Sequence, residues 1–178
     1  MSMIRYSTCD STVGRLLFVG DGEVLTRLHM EDPSKPPQVQ EDWKHDSGAF
    51  RSAREQMAAY FAGDLTQFDL RLDASGTPFQ KRVWNALVEI PYGKTASYGE
   101  VARNVDMPTA SRAVGSANSR NPIAIVVPCH RVIGASGKLT GYAGGLERKK
   151  QLLALEADVT ARISAHREVD LRLAEEIG

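Results

Sequence analysis

The sequence predicts a mixed α/β (α+β) fold, in which a small N-terminal domain of β-sheet and helix precedes a mostly helical C-terminal domain. The chain has 178 residues, 42% of them hydrophobic, which suffices for one domain or two small ones. Its first third contains short apolar runs separated by turn residues, whereas apolar residues after positions 74–76 recur mostly at helical spacing. We therefore expect domains at residues 1–76 and 77–156, followed by a C-terminal tail at 157–178.

The N-terminal domain is predicted to begin with a meander of three strands. Residues 3–8, 13–19 and 23–30 are short apolar runs, and Gly20-Asp21-Gly22 is a hairpin signal between the last two. Residues 31–47 are predicted to form a loop, because prolines exclude both a helix and a central strand there. These prolines are Pro33, Pro36 and Pro37.

A helix and a further strand complete the predicted N-terminal domain. From Phe50 to Phe61 the apolar residues recur at helical spacing, and Gly63 stands where a C-cap glycine is expected. This helix is predicted to cover one face of the sheet. Apolar and charged side chains alternate over residues 68–72, which predicts a half-buried strand, and residues 74–76 form the linker.

Two capped helices are predicted to open the C-terminal domain. Thr77-Pro78 supplies an N-cap and a first-turn proline for a helix that ends before residues 91–93. Ser97 and Glu100 have the spacing of a capping box, so a second helix is predicted from about Tyr98 to Asn104 or Val105.

A third helix is predicted from Thr109 to Asn118, and its residues divide into an inward and an outward face. The expected inward residues are Ala110, Ala113, Val114 and Ala117, and the outward ones are Ser111 and Arg112. Together with the preceding helix and the tight turn, this small-residue helix predicts a helix-turn-helix that faces a nucleic-acid groove. Such helix pairs also occur as plain packing units, and that alternative stays open. Further helices are predicted over residues 145–156 and, as a solvated tail, 159–176.

Composition and charge exclude several classes of protein. The hydrophobic content and 25% of charged residues exclude a disordered, collagen-like or coiled-coil chain. The longest apolar stretch, residues 122–128, is too short to span a membrane, and the N-terminus lacks a signal-peptide core. Two cysteines form at most one disulfide, which favours a reducing compartment. We expect a cytoplasmic protein with no membrane partner.

The 22 basic and 22 acidic side chains balance overall but are unevenly distributed. Residues 1–78 carry 8 basic and 12 acidic side chains, residues 79–156 carry 11 and 5, and residues 157–178 carry 3 and 5. A basic segment between acidic ones is typical of a polyanion-binding module joined to one that does not bind. Chance segregation of surface charge is the alternative.

The apolar run of residues 122–128 ends at the residue with the strongest case for reactivity, Cys129. Pro128 stiffens the backbone before the cysteine, and the adjacent His130 and Arg131 favour the reactive thiolate. A buried, inert cysteine is the alternative. Cys9 has no neighbouring histidine and is expected to be structural.

The sequence predicts neither a metal nor a cofactor. The four histidines are widely spaced, and no CxxC or HxxxH motif is present. The GxxGK motif of residues 134–138 lacks the spacing of a phosphate loop, and no GxGxxG follows a strand. The chemistry is therefore expected to depend on side chains alone.

Five short motifs of the C-terminal domain carry a resemblance to a known family. They are Ser97-Tyr98, Arg112-Ala113-Val114-Gly115, Asn121-Pro122, Pro128-Cys129-His130-Arg131-Val132-Ile133 and Tyr142-Ala143-Gly144-Gly145-Leu146. Together they closely resemble the O6-alkylguanine-DNA alkyltransferases, also called methylated-DNA–protein-cysteine methyltransferases. The resemblance is dense from about Thr77 to Glu156 and looser over residues 1–76. It implies a DNA repair enzyme that flips O6-alkylguanine out of the duplex and transfers the alkyl group irreversibly to its own cysteine.

The resemblance also assigns roles at the active site. Cys129 would accept the alkyl group, His130 would act as its base through a bridging water, and Glu156 would orient the histidine. Asn121 would brace the turn before an active-site strand, and Tyr98 would hydrogen-bond the flipped guanine. Apart from the resemblance, Glu156 reads as an acid at a helix C-terminus, where the helix dipole disfavours it.

The resemblance further implies contacts to DNA and to the alkyl group. Arg112 would fill the space left by the flipped base, and the small residues Ala110 and Ser111 would let the helix approach the minor groove. The expected pocket residues are Pro128, Ala135, Tyr142 and Gly144. Ala135 departs from the small polar residue that the family often places near the base.

The implied partner is double-stranded DNA containing O6-alkylguanine, bound largely through phosphate contacts. We expect a monomer without S-adenosylmethionine, because the damaged DNA is itself the methyl donor, and cooperative binding along DNA stays open. Two alternative functions remain. One is a non-catalytic sensor of alkyl lesions, and the other is a cysteine hydrolase that uses Cys129 and His130 and turns over repeatedly.

Overall fold

A four-stranded sheet near the N-terminus and five helices make up the computed structural model, which describes residues 3–32, 34–35 and 39–177. Side chains are described as far as residue 168. The predicted mixed α/β fold, with the sheet first and most helices later, is confirmed. Within these residues, no helix combines the length and apolar character needed to cross a membrane.

The predicted meander is confirmed, and its middle strand is the most buried. Strands β1 (Arg5–Cys9), β2 (Leu16–Gly20) and β3 (Leu25–Met30) pair antiparallel. Leu16 and Phe18 of β2 face the main core. Leu17 and Val19 point to the other side and pack with Trp43. Because both faces are covered, all five residues of β2 are buried.

The loop predicted over residues 31–47 contains a short strand, which corrects that prediction. Strand β4 (Lys44–His45) pairs parallel with β1, so the sheet order is β3-β2-β1-β4. Both residues of this edge strand are exposed, so no apolar pattern in the sequence indicated a strand there. The backbone N–H of Lys44 donates to Ile4 O at 2.9 Å. The prolines predicted to break this segment, Pro33, Pro36 and Pro37, lie outside the described residues.

Helix α1 (Arg51–Ala62) covers the sheet as predicted, whereas the strand predicted after it is absent from the described chain. Gly63 caps α1 in the left-handed conformation, with φ 79°. Residues 68–72 form only an isolated bridge, between Leu72 and Leu25. Their alternation reflects the partial burial of Phe68 and Leu70 in an extended segment that meets β3 at one point.

Helices α2 (Pro78–Val88) and α3 (Tyr98–Asn104) begin at the predicted caps. Capping boxes form between Thr77 and Gln80 and between Ser97 and Glu100, the second of them predicted. The two-residue strand β5 (Ala96–Ser97) precedes α3. Each cap satisfies backbone donors that the first helical turn leaves free, which is why both boundaries were readable in the sequence.

The third predicted helix is α4 (Ser111–Ser119), which starts two residues later than expected. It packs against α2 and α3, and the turns of residues 105–110 join it to α3, an order of elements that agrees with the predicted helix-turn-helix. Its buried residues are Val114, Ala117 and Asn118, whereas Ala113 is exposed. The predicted inward face was therefore wrong at Ala113, because a neighbour of Val114 lies about 100° around the helix.

The apolar run before Cys129 is not the active-site strand that we expected. Residues 122–128 form successive turns and touch β3 only through a bridge between Leu28 and Ile123. Pro122 and Pro128 lack backbone donors, and Ile125 adopts a left-handed φ of 71°. The run is apolar because it is buried. A 3-10 turn over Cys129–Arg131 follows, and then β6 (Val132–Ile133), which pairs parallel with β5.

One helix, α5 (Leu146–Ile177), replaces the two helices predicted near the C-terminus. No glycine or proline interrupts its 32 residues. A buried row of Lys149, Leu152, Glu156 and Val159 follows one face of this helix. Val159 packs beside Gly63, the C-cap of α1, so the core contact continues beyond the predicted end at residue 156.

Candidate functional site

Cys129 lines a cleft between the two halves of the fold. Its side chain stands on the 3-10 turn, is 5% exposed and forms no disulfide with Cys9. Asn118, at the end of α4, donates from Nδ2 to Cys129 O at 3.4 Å. The other residues lining the cleft are His29, Met30, Asn118, Ser119, Asn121, Ala124 and Gly141–Gly144. The thiol is thus presented in a narrow opening lined by both polar and apolar side chains.

The environment of the Cys129 thiol does not by itself ionise it. Burial raises the pKa of Cys129, and proximity to Asn121, Tyr142 and Lys149 only partly opposes that rise. The Tyr142 hydroxyl is buried with no hydrogen-bond partner in the described part of the chain. Because the thiol is the stable form at rest, nucleophilic chemistry at this cysteine requires a base.

His130 has the geometry of such a base. Its ring is fully buried, and Nε2 lies 2.7 Å from Oε1 of Glu156. Since an ionised carboxylate only accepts hydrogen bonds, Nε2 carries the proton and Nδ1 keeps a lone pair. Nδ1 has no hydrogen-bond partner among the residues that the structure covers. Burial lowers the pKa of His130 although Glu156 opposes this, so the ring is neutral and Nδ1 is free to accept a proton.

Glu156 is the centre of a buried cluster of hydrogen bonds. It accepts from Tyr60 Oη at 2.8 Å, from Arg131 Nε and Nη2 at 2.9 and 3.0 Å, and from Gly93 N at 3.1 Å. Burial alone raises the pKa of Glu156, but hydrogen bonds from His130 and Arg131 outweigh burial and lower the pKa to about 2. Glu156 therefore remains a carboxylate, and Arg131 balances its charge.

The position of Glu156 within α5 corrects one sequence argument. We expected an acid at the C-terminal end of a helix, where the dipole disfavours it, but Glu156 lies in the interior of a helix that continues to Ile177. The dipole therefore has little influence on this side chain. Its burial is instead explained by the partners just described.

Lys149 is a further buried charged residue, about two turns before Glu156 along α5. Its Nζ donates to Val132 O at 2.5 Å and to Thr140 O at 3.1 Å, and lies 5.9 Å from the centre of the Tyr142 ring. Burial lowers its pKa, while Cys129 opposes this. Lys149 thus ties β6 and the loop before Tyr142 to the helix beneath the cleft.

The predicted residues Asn121 and Tyr98 both contact the loops around Cys129. Asn121 donates from Nδ2 to Val127 O at 2.8 Å, and its Oδ1 accepts from Ile123 N at 3.0 Å. These bonds span the turns that replace the expected strand. Tyr98, at the start of α3, is half-buried and donates to Thr140 O at 3.4 Å.

The four predicted pocket residues separate into two pairs. Tyr142 and Gly144 line the cleft, and a Cβ on Gly144 would lie 2.7 Å from Met30 Cε, so a larger residue there would have to displace the end of the Met30 side chain. Pro128 is buried and Ala135 is exposed; within the described structure, neither lines this cleft.

The three predicted DNA-contacting residues lie at the start of α4. Arg112 is exposed, and Ser111 and Ala110 are half-buried. In the described part of the chain, no carboxylate lies within salt-bridge distance of Arg112. The guanidinium is therefore available to a partner. Within the same residues, no group of three or more His, Cys, Asp or Glu side chains could hold a metal ion.

Two family models match the chain, and together they cover most of it. Residues 78–158 match the model described as 6-O-methylguanine DNA methyltransferase, DNA binding domain. Residues 4–74 match the model described as 6-O-methylguanine DNA methyltransferase, ribonuclease-like domain. The chain belongs to the 6-O-methylguanine DNA methyltransferase family. The resemblance seen in the sequence is thereby confirmed.

Relatives of this family are similar over nearly their whole length. A methylated-DNA–protein-cysteine methyltransferase of Mycobacterium tuberculosis is 58% identical over 154 residues, which is 86% of this chain and 93% of that protein. One from Methanosarcina acetivorans is 55% identical over 151 residues, 85% of this chain and 97% of that protein. The crystal structure of M. tuberculosis O6-methylguanine methyltransferase matches with a TM-score of 0.82 and 57% identity, covering 88% and 94% of the two chains. A structure of the M. tuberculosis protein in complex with DNA matches equally, with a TM-score of 0.82, 56% identity and coverages of 87% and 94%.

Sequence reasoning missed several residues that this family member brings to the site. Lys149 had a signal, since it is the one charged residue before Glu156 in an otherwise apolar row of α5. Tyr60 had none, because an aromatic residue at helical spacing reads as ordinary core. Gly93 donates from its backbone N–H to Glu156, and Asn118 donates from its side-chain Nδ2 to the backbone oxygen of Cys129. Bonds that involve backbone groups leave no pattern in the sequence.

Proposed function

We propose that this chain repairs alkylated DNA by direct reversal, as a methylated-DNA–protein-cysteine methyltransferase. The observation that carries the proposal is the buried Cys129 thiol in a cleft beside the His130–Glu156 pair, in a member of this family. Relatives with more than half of their residues identical carry the same enzyme name. The substrate is double-stranded DNA that contains O6-alkylguanine.

The proposed reaction is the attack of a nucleophilic sulfur, that of Cys129, on an unactivated ether carbon, that of the O6-alkyl group. Cys129 Sγ forms a bond to the alkyl carbon as the bond from that carbon to guanine O6 breaks, and the electron pair of the broken bond stays on the guanine. The proton of the thiol leaves through His130, and guanine regains a proton in solution. The product thioether has no route back to a thiol, so each molecule acts once.

His130 and Glu156 would supply the base for this step. The Nδ1 lone pair of neutral His130 accepts the thiol proton through a bridging water, and the Glu156 carboxylate stabilises the imidazolium that results. Asn121 would hold the turns that present Cys129.

Access to Cys129 requires the base to leave the DNA stack. The thiol is 5% exposed inside its cleft, which a guanine inside a duplex cannot reach. We propose that α4 lies in the minor groove, where Arg112 replaces the extruded base and Ala110 and Ser111 allow close approach. Tyr98 would then hydrogen-bond the guanine as the alkyl group departs.

We also propose how the alkyl group and the domains are arranged. Tyr142 and Gly144 would border the alkyl group, with Pro128 and Ala135 farther from it. Residues 77–156 would bind DNA and react, residues 1–76 would form the supporting domain, and residues 157–178 would extend α5. The protein would act as a monomer held to DNA mainly by phosphate contacts.

The test mixes the protein with a duplex that carries one O6-methylguanine and records the intact protein mass. We expect a stoichiometric gain of one methyl group, which is absent in Cys129→Ser while DNA binding is retained. Tight binding without a mass change would overturn the proposal in favour of a lesion sensor. Repeated turnover of an ester or amide without DNA would instead indicate a cysteine hydrolase.

A further inference from the structure

Tyr60 connects the N-terminal half of the molecule to the cluster around Glu156. It lies on α1, is completely buried, and donates from its hydroxyl to Glu156 Oε1 at 2.8 Å across a separation of 96 residues. The other members of the relay, Cys129 and His130, come from the C-terminal half. Tyr60 is the only side chain of the described N-terminal half that donates to this carboxylate.

The hydroxyl of Tyr60 shares one oxygen with the imidazole. Oε1 of Glu156 faces Tyr60 Oη at 2.8 Å, His130 Nε2 at 2.7 Å and Arg131 Nη2 at 3.0 Å. Each donor withdraws negative charge from Oε1 and narrows the orientations of the carboxylate. The direction and strength of the bond that holds His130 therefore depend on Tyr60.

The Tyr60 ring is itself held in place. Its centre lies 5.3 Å from those of Phe61 and Phe68 and 6.0 Å from that of Tyr92. Burial and the neighbouring Glu156 raise the pKa of Tyr60 far above its ordinary value, so the hydroxyl keeps its proton at neutral pH. The Tyr60 hydroxyl is thus a protonated hydrogen-bond donor to Glu156, on a ring that its aromatic neighbours hold in place.

We propose that Tyr60 is a positioning residue for alkyl transfer, through which the N-terminal half orients Glu156 and limits the basicity of His130. This inference rests on the proposed function. Without the hydroxyl, Oε1 carries more charge and stabilises the imidazolium more strongly. His130 would then hold a proton at a higher pH and would be unavailable as a base over part of the working range.

Other charged and titratable groups face the His130–Glu156 pair, and the substitution of Tyr60 must leave them unchanged. From α5, Lys149 opposes protonation of His130, and Arg131 does so from the 3-10 turn. Tyr92 faces Glu156 and Arg131 from the segment after α2. Cys129 precedes His130 on the same 3-10 turn. A substitution that removes only the Tyr60 hydroxyl leaves all of these side chains in place.

The experiment measures the maximal rate of methyl transfer from O6-methylguanine duplex, with protein in excess, between pH 5 and pH 9. In Tyr60→Phe we expect the acidic limb of the rate profile to move up by about half a pH unit, so that the rate falls about threefold on that limb and recovers above it. The affinity for DNA should not change, because the Tyr60 side chain is completely buried and cannot contact DNA directly.

The matched control is Tyr92→Phe, which removes a neighbouring buried hydroxyl that has no hydrogen-bond partner in the described chain. Its rate profile should coincide with that of the wild type. A uniform fall at every pH in Tyr60→Phe, or an equal shift in both variants, would overturn the inference and indicate a packing effect. If the wild type transfers no methyl group, the proposed function itself is wrong. That failure is seen in the wild type alone, so it is distinguishable from a failure of the inference about Tyr60, which is seen only when the two variants are compared.

Discussion

The carboxylate cluster around Glu156 and the start of helix α4 are built in opposite ways. Glu156 is completely buried, and its oxygens receive hydrogen bonds from Tyr60, Gly93, His130 and Arg131. Arg112 on α4 is exposed and has no carboxylate within salt-bridge distance in the described structure. The groups that neutralise Glu156 all belong to the protein itself, whereas the charge of Arg112 is available to a binding partner.

Because of this difference, we expect the cluster to affect the stability of the fold and Arg112 to affect the recognition of DNA. A buried carboxylate is costly to desolvate and is tolerated only when its partners are complete, so each partner affects the fold as well as the chemistry. An exposed arginine costs little to change in the free protein. Substitutions in the cluster should therefore alter unfolding and reaction together, whereas substitution of the exposed Arg112 should alter only the reaction with duplex DNA.

The largest effect is expected for Glu156→Gln. The substitution leaves Arg131 buried without its counter-ion and places an amide against donors, so the free energy of unfolding should fall by about 3–5 kcal/mol. Urea denaturation measures this change. The control is Glu147→Gln in the first turn of the same helix, where an exposed pair with Lys150 contributes about 0–1 kcal/mol. Equal losses in both variants would show that burial of the cluster does not govern stability.

A smaller, more selective effect is expected for Arg112→Ala. If this side chain fills the space of the extruded base, transfer from O6-methylguanine in duplex DNA should slow by about tenfold, which corresponds to about 1.4 kcal/mol. Transfer from the free O6-methylguanine base should not change, because no stack is opened. Intact-mass kinetics with both substrates measure the ratio of the transfer rate from duplex DNA to that from the free base.

The control for α4 is Arg51→Ala, an exposed arginine of helix α1 in the acidic part of the chain. It should affect neither substrate. Slower reaction of Arg112→Ala with the free base as well would place Arg112 in the reaction itself, and would remove the contrast between the two regions.

The smallest expected effect is a pH-dependent difference in stability between the wild type and Glu156→Gln. The pKa of Glu156 is lowered from 4.5 to about 2, so its stabilisation is complete above pH 4.5 and is lost as the pH falls toward 2. Between pH 5 and pH 4 this group alone should cost the wild type about 0.7 kcal/mol. Urea unfolding at a series of pH values should show wild type and Glu156→Gln converging as the pH falls. Parallel curves would contradict the lowered pKa.

Elements defined by local chemistry were predictable. The capping box of Ser97 and Glu100, the proline after Thr77 and the glycine after α1 each satisfy or end a helix within a few residues, so their boundaries agree with the structure. Cys129 and His130 were singled out for the same reason, since they are neighbours in the chain.

Elements defined by distant contacts were not predictable. Strand β4 exists because β1 offers free backbone groups, the run before Cys129 turns where a strand was expected, and α5 continues because Val159 finds space beside Gly63. In each case the local pattern permits several conformations, and a partner far along the chain selects one.

The sequence by itself determined the order of sheet and helices, the family, and Cys129 and His130 as candidate site residues, because periodicity, caps and short motifs are local properties. Only the tertiary structure decided that Glu156 lies inside a helix, that Arg131 and Lys149 are buried, and that Tyr60 reaches the relay from the other half of the molecule. The physical reason is that a hydrogen bond or an ion pair is a property of two groups, and folding brings together groups that the chain keeps apart.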